Sequence, residues 1–245
     1  MFLESNFDVI KFEEIDSTNE EAKRLIRSGV LSKSTVITSK TQALGHGRYG
    51  RSWVSEEGNL YTSIIIKLDS TLDKAAQYSF IASIAVGETI RSQIDSKFKI
   101  EYKWPNDVLI DGKKVSGILL ESLKDNNSNH WLIIGVGVNI NNCPQLTDKE
   151  VVCLSDVLIG SIDIYQFLNK LIYNFESQEN LWKNQGFSCI RATWFKNAHR
   201  LGEEITVNLL NEKFKGKFEG INDNGELEVD VDGKKHFISS GEVFF

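Results

Sequence analysis

Only two prolines, Pro105 and Pro144, occur in 245 residues. The chain therefore has no Pro-rich linker, and no repeat or low-complexity tract interrupts it. Cysteine is scarce as well: Cys143, Cys153 and Cys189 are odd in number, far apart and without a C-x-x-C pair. This excludes a disulfide framework or cysteine-built zinc site and reads as buried thiols in a reducing compartment. The four histidines, His46, His130, His199 and His236, show no ligand spacing. An excess of cations is also missing: 28 Lys and Arg stand against 34 Asp and Glu, a net charge of −6. That argues against a general nucleic-acid footprint, which wants clustered positive charge. No apolar run approaches a membrane span, and the segment after Met1 lacks a signal-peptide profile. The expected compartment is the cytoplasm.

What is present is concentrated in residues 40–53, KTQALGHGRYGRSW. Gly45, Gly47 and Gly50 let the backbone turn tightly and approach a ligand closely. Arg48 and Arg51 offer planar donor forks suited to phosphate or carboxylate. The segment reads as an anion-gripping loop, or equally as a surface loop with solvated arginines.

The flanking pattern is α+β. Residues 8–15 read as a strand, and Ser17 with Glu20 forms a capping box that starts a helix running to Ser28 and stopping at Gly29. Val36–Ser39 and Asn59–Leu68 read as strands, and residues 73–95 as a helix with its apolar side against a sheet. Strands 100–104, 108–110, 113–122 and 131–140 follow, with Asp111-Gly112 as a type I′ hairpin turn. Gly117, Gly135 and Gly137 inside adjacent strands suggest a ligand on the sheet, or a crowded helix crossing. A long helix over 163–184 and a shorter one to about 197 precede short strands at 204–210, 214–221, 226–231 and 234–239. The fold class is thus a mainly antiparallel mixed sheet packed by helices, residues 1–199, with a small C-terminal β-barrel over 200–245.

On the return strand, simple alternation puts Lys114, Ser116 and Ile118 on one face and Lys113, Val115 and Gly117 on the other. One of two adjacent lysines therefore faces the ligand side. Asn106 and Asp107 follow Pro105 at a turn, where a carboxylate suits Mg²⁺ beside phosphates, although Pro-Asn-Asp is also ordinary turn chemistry. There is no Ser-His-Asp or Cys-His constellation. A cationic pocket with a magnesium-capable carboxylate suggests adenylation, in which catalysis is positioning and charge stabilisation.

Four runs in order, Gly45-His46-Gly47-Arg48-Tyr49-Gly50-Arg51-x-Trp53, Lys103-Trp104-Pro105-Asn106-Asp107, Lys114-x-x-Gly117-Ile118-Leu119 and Gly135-x-Gly137-Val138-Asn139, resemble biotin–protein ligases. The resemblance implies a fold like the class II synthetases with an SH3-like C-terminal module. It also implies a two-step reaction: biotin attacks the α-phosphorus of ATP, and a lysine of a biotin carboxyl carrier domain then attacks biotinyl-5′-AMP. By motif, the implied catalytic residues are Lys114 and Arg48. The implied biotin site is Ser17, Thr18, Gln42, Gly45, Arg48, Trp53, Lys114, Gly135, Gly137 and Val138. The implied nucleotide site is Arg48, Arg51, Trp53, Asn106, Asp107, Lys114 and Asn139, with Asp107 as the Mg²⁺ ligand. His46 departs from the arginine usual there. The chain begins close to its first strand, so the winged helix of DNA-binding members is not expected, and a homodimer is left open. Lipoate–protein ligases and octanoyl transferases share the sheet, and a catalytically silent biotin-binding module is the alternative from another class.

Overall fold

The computed structural model describes residues 6–68, 72–143, 150–158, 160–209 and 212–244. Strand β1 (Asp8–Ile15) runs parallel to β2 (Thr35–Gln42) and is joined to it by helix α1 (Thr18–Ser28). Glu20 and Glu21 in the first turn and Arg27 in the last suit the helix dipole. Gly29 ends the helix in the left-handed region at φ 71°. Ser17 is the extended N-cap, as expected, but its side chain makes no cap bond. Glu20 instead pairs with Lys23 at 2.6 Å, and Asp16 Oδ1 accepts from the Ser17 amide at 2.8 Å. The capping box is therefore not formed, because Lys23 and Asp16 are better-placed partners.

After β3 (Leu60–Lys67) and helix α2 (Gln77–Arg91) come β4 (Ile100–Lys103), β5 (Asp107–Ile110), β6 (Lys113–Lys124) and β7 (His130–Val138). The sheet order is β1-β2-β3-β7-β6-β5-β4, with every pair but β1-β2 antiparallel. Asp111 and Gly112 both have positive φ, 47° and 79°, as a type I′ turn requires. The Trp104–Pro105 peptide is cis. A register shift opposite Val108 and Leu109 sets Leu109 against Lys114 but Val108 against Ser116. This bulge breaks simple alternation, so Lys114 and Gly117 share a face, contrary to the expectation that they oppose one another.

Helices α2 and α3 (Ile164–Gln185) cover one face of the sheet through Ile81, Ile84, Leu171 and Phe175 against Ile64, Ile134, Val108 and Ile118. Helix α1 covers part of the other face, with Ala22 and Ile26 against Ile37, Ile65 and Ile133. Helix α4 (Phe187–Phe195) closes the first layer. Residues 133, 135 and 137 lie on the α1 face, so Gly135 and Gly137 continue that face beyond the helix N-terminus. This arrangement leaves a trough at the end of α1.

The last five strands are β8 (Glu204–Asn208), β9 (Lys213–Ile221), β10 (Leu227–Val231), β11 (Lys234–Ile238) and β12 (Glu242–Phe244), paired antiparallel as β11-β10-β9-β8-β12. The expected strand end Leu210 lies outside the described residues. These five strands form the expected small C-terminal β module, and among the described residues no ladder pairs β12 with β11. The module packs on α2 and shares one buried core with the seven-stranded sheet and its helices: Trp104 Nε1 donates to Gly225 O at 3.0 Å, and Gln77 Nε2 to Asp223 O at 2.8 Å.

One further expectation is corrected. Cys143 and Cys153 form a disulfide with Cα atoms 5.6 Å apart, leaving Cys189 as the free thiol. Sequence spacing hides this because the chain doubles back: the Leu154 amide donates to Asn139 O (3.1 Å) and the Ser155 amide to Ile140 O (2.8 Å). Buried Asn59 anchors the turn, its Oδ1 accepting from the amides of Ile140, Asn141 and Asn142 at 2.8–3.0 Å. Asn59→Ala orphans three amides and is expected to cost about 3 kcal/mol, measured by denaturant titration. A loss under about 0.5 kcal/mol would show that water replaces the carboxamide.

Candidate functional site

The trough on the glycine face is a cavity of about 820 Å³. It falls within the size range of small-molecule sites. Its lining includes five Lys or Arg (Arg48, Arg51, Lys103, Lys114, Arg200) against three acidic residues (Asp107, Glu150, Glu242). An acidic chain thus concentrates positive charge at one place, which suits an anionic ligand.

The floor is a polar chain at the buried N-terminus of α1. Gln42 Oε1 accepts from the Thr18 amide (2.8 Å) and Thr18 Oγ1 (3.1 Å), while Gln42 Nε2 donates to Ser55 Oγ (2.9 Å). Ser63 Oγ donates to Asn19 Oδ1 (2.5 Å), and Asn19 Nδ2 donates to Glu121 Oε2 (2.8 Å). Burial opposes ionisation of Glu121, but Lys23 and Asn19 outweigh it and hold its carboxyl below the usual range. Such a satisfied network fixes donors and acceptors in place before a ligand arrives.

The glycine loop is folded over this floor. The Gly47 amide donates to Arg51 O (2.7 Å), the Trp53 amide to Gly45 O (2.9 Å), and Tyr49 takes the left-handed conformation at φ 57°. Arg48 Nη1 donates to Asn106 Oδ1 (3.3 Å), and its guanidinium lies 4.9 Å from the Tyr49 ring centroid. Arg51 is bonded through both terminal nitrogens to the Glu242 carboxylate on β12, which raises its pKa. The space over the glycines is not empty. A Cβ on Gly135 would sit 2.6 Å from Asn19 Oδ1, and one on Gly137 2.5 Å from the Trp53 ring. The helix-crossing reading holds for Gly135, which α1 crowds through Asn19, while Gly137 is crowded by the Trp53 indole of the cavity wall.

Lys114 Nζ lies 2.6 Å from Asp107 Oδ1 and 5.3 Å from the Trp53 ring centroid. Asp107 Oδ1 is buried within that ion pair. Trp53 Nε1 is buried without a hydrogen-bond partner. A buried indole N–H without a partner, beside a lysine–carboxylate pair, is an open polar contact that a ligand could fill. A single carboxylate in this position fits a magnesium ion held mainly by nucleotide phosphates. A second cluster of possible cation ligands, Glu20, His46 and Glu121, already holds a cation: Lys23 Nζ lies 2.6 and 2.7 Å from the two glutamates. His46 Nε2 is 3.7 Å from Glu121 Oε2.

The cavity brings together Ser17, Thr18, Gln42, Arg48, Arg51, Trp53, Asn106, Asp107, Lys114, Gly135, Gly137 and Asn139. It leaves out Gly45, which packs behind the loop against Ser55 Oγ and Trp53 O, and Val138, which is fully buried in the helix-covered core. Strand alternation gives the reason for Val138: it follows Gly137 and must face away. Sequence reasoning missed Asn19, Lys103, Glu150, His199, Arg200 and Glu242. Asn19 and Lys103 had signals, the helix-starting run Asp16-Ser17-Thr18-Asn19 and the run Lys103-Trp104-Pro105-Asn106-Asp107; the others are joined only by folding.

Two family models match the chain: the biotin/lipoate A/B protein ligase family over residues 11–139, and the biotin protein ligase C-terminal domain over 201–245. The chain is 34% identical over 235 residues to the biotin–[acetyl-CoA-carboxylase] ligase of Paracoccus denitrificans, covering 94% of this chain and 97% of the relative. It is 31% identical over 234 residues to the bifunctional ligase/repressor BirA of Bacillus subtilis (strain 168), covering 94% and 71%. Among solved structures, the biotin protein ligase from Aquifex aeolicus in complex with biotin and ATP matches with a TM-score of 0.81 and 27% identity over 97% of each chain.

Proposed function

We propose, starting from the premise that the chain belongs to the biotin/lipoate A/B protein ligase family, that its cavity carries out the adenylation and transfer of biotin. The protein is a biotin–[acetyl-CoA-carboxylase] ligase that uses ATP. The observation that carries the assignment of roles is the Lys114–Asp107 ion pair beneath Trp53, whose buried indole N–H has no hydrogen-bond partner.

In the first step the biotin carboxylate attacks the α-phosphorus of ATP and pyrophosphate leaves. Lys114 neutralises charge shared between the carboxylate and the α-phosphate, and Asp107 holds that lysine in place. Asp107 would also hold a magnesium ion with the phosphates, which would supply further charge neutralisation. Arg48, steadied by Asn106 and Tyr49, grips the carboxylate and phosphate as a fork. Thr18, Gln42 and Asn19 hold the ureido end, and Trp53 walls the apolar side. In the second step an acceptor lysine attacks the mixed anhydride and AMP leaves, so the loop must retain the intermediate until the carrier arrives. The acceptor is a biotin carboxyl carrier domain of a carboxylase. The cytoplasm, where ATP and the carrier meet, is the compartment this reading calls for; among the described residues no helix is long and apolar enough to cross a membrane. The proposed division is residues 1–199 for chemistry and 200–245 for a sheet docked against it.

That docking gives Arg51 its fixed position. Glu242→Gln is expected to raise the KM for ATP about threefold to fivefold, as loss of a half-exposed ion pair would, with kcat little changed. An unchanged KM in steady-state assays would remove the C-terminal sheet from nucleotide binding. The reading itself is tested by incubating the protein with Mg-ATP, a carrier domain and either biotin or lipoate. A mass gain of one biotinyl group is expected, and turnover with lipoate alone would overturn it.

A further inference from the structure

We infer that the Cys143–Cys153 bond is a reversible redox tether on the backbone segment that sets the position of Lys114. The inference rests on the ligase reading for its effect on activity, but the tether itself is a statement about the fold.

Residues 150–152 run beside the start of β6 and bond Lys114 on both sides. The Lys114 amide donates to Glu150 O, and the Val152 amide donates to Lys114 O, each at 3.0 Å. Glu150 and Val151 line the same cavity as Lys114. These are the only main-chain hydrogen bonds Lys114 makes among the described residues outside the β5-β6 ladder. The next residue in the chain, Cys153, is the point where this flanking segment is covalently fastened. Its partner Cys143 follows three residues whose amides Asn59 pins to β3's approach. One end of the tether is therefore rigid, and the other holds the backbone next to the proposed catalytic lysine.

A short loop closed by a disulfide has few detached conformations to gain. Opening the bond restores them, so the segment detaches more often and Lys114 loses its second backbone anchor. Disulfides in ATP-containing, reducing compartments are most often transient and redox-sensing, which matches a bond placed here. Cys143 is half-buried, whereas Cys153 is only 2% exposed, so attack is expected at Cys143. The reductant is a dithiol. Its thiolate attacks Cys143 Sγ, the S–S bond breaks, and Cys153 leaves as a thiolate that takes up a proton. The second thiol then resolves the mixed disulfide, releasing Cys143 as a thiol. Two electrons and two protons pass to the protein, and the dithiol becomes a disulfide.

The test holds the full-length wild-type protein in dithiothreitol or oxidised glutathione and counts thiols by alkylation and mass. Amide exchange of the segments containing Lys114 and Val152 is then measured, together with the KM for ATP in biotin-dependent pyrophosphate exchange. We expect one reactive thiol when oxidised and three when reduced. Reduction should speed exchange at those amides about tenfold and raise the KM for ATP about threefold to tenfold, both reversed on reoxidation. Cys143→Ser should stay at the reduced values in either buffer, and Cys189→Ser should respond as the wild type does. Three alkylatable thiols in every buffer, or equal amide exchange in two states of confirmed thiol content, would overturn the tether. Amide exchange that shifts with no pyrophosphate exchange in either state would support the tether and refute the ligase reading instead.

Discussion

Lys114→Ala is expected to lower kcat/KM for biotin-dependent ATP–pyrophosphate exchange by about 10³-fold or more, while Lys113→Ala leaves it within about twofold. The asymmetry comes from the sheet. Lys113 is exposed at the hairpin, whereas Lys114 turns into the cavity and reaches Asp107. At a site screened from water by Trp53, one positive charge aimed at the developing oxyanion contributes several kcal/mol more than it would in solvent. Removing it also strands Asp107 as an uncompensated carboxylate where phosphates must bind, so the loss exceeds that of one attraction. Asp107→Asn should therefore be milder than Lys114→Ala, since it leaves the lysine in place. If Lys113 proves essential and Lys114 dispensable by the same assay, the strand register described for β6 is wrong.

Arg48→Gly is expected to raise the dissociation rate of the acyl-adenylate about 10²-fold, with a smaller effect on its formation. Two charge-assisted hydrogen bonds of about 1.5 kcal/mol each account for a loss of that size. The guanidinium is held between Asn106 and Tyr49, at a loop that is otherwise closed by its own backbone bonds. Deleting the side chain leaves the floor of the cavity intact, so biotin and ATP should still react. The escaping anhydride should then label lysines on bystander proteins, detected with an avidin blot beside a stopped-flow measurement of release. Unchanged release would show that the loop does not retain the intermediate.

The parts of this account legible in the sequence are those fixed by local chemistry. The glycine loop, the Asp111-Gly112 turn and the long alternating strands follow from residues close together in the chain. The cavity-facing side of Lys114 could be read from alternation, but Gly117 could not. The extra residue opposite Val108 and Leu109 shifts register, and no single residue type announces it. Val138 is the opposite case: it belongs to the Gly135-x-Gly137-Val138-Asn139 run, but strand alternation sends it into the core. The Ser17 capping box failed because Lys23 and Asp16 offered ionic partners to the same groups. Contacts made by distant segments left no local trace. Arg51 meets Glu242 from the far end of the chain, and Cys143 meets Cys153 only because Asn59 folds the backbone back on itself. The orphaned Trp53 Nε1 is visible only once burial is known.

The central claim is that this cavity activates biotin as an adenylate. Its most direct test is exchange of labelled pyrophosphate into ATP by the purified protein with magnesium, in the absence of any carrier domain. The account predicts exchange that depends on biotin, is not supported by lipoate and disappears in Lys114→Ala. Exchange with lipoate but not biotin, or tight biotin binding with no exchange at all, would contradict it.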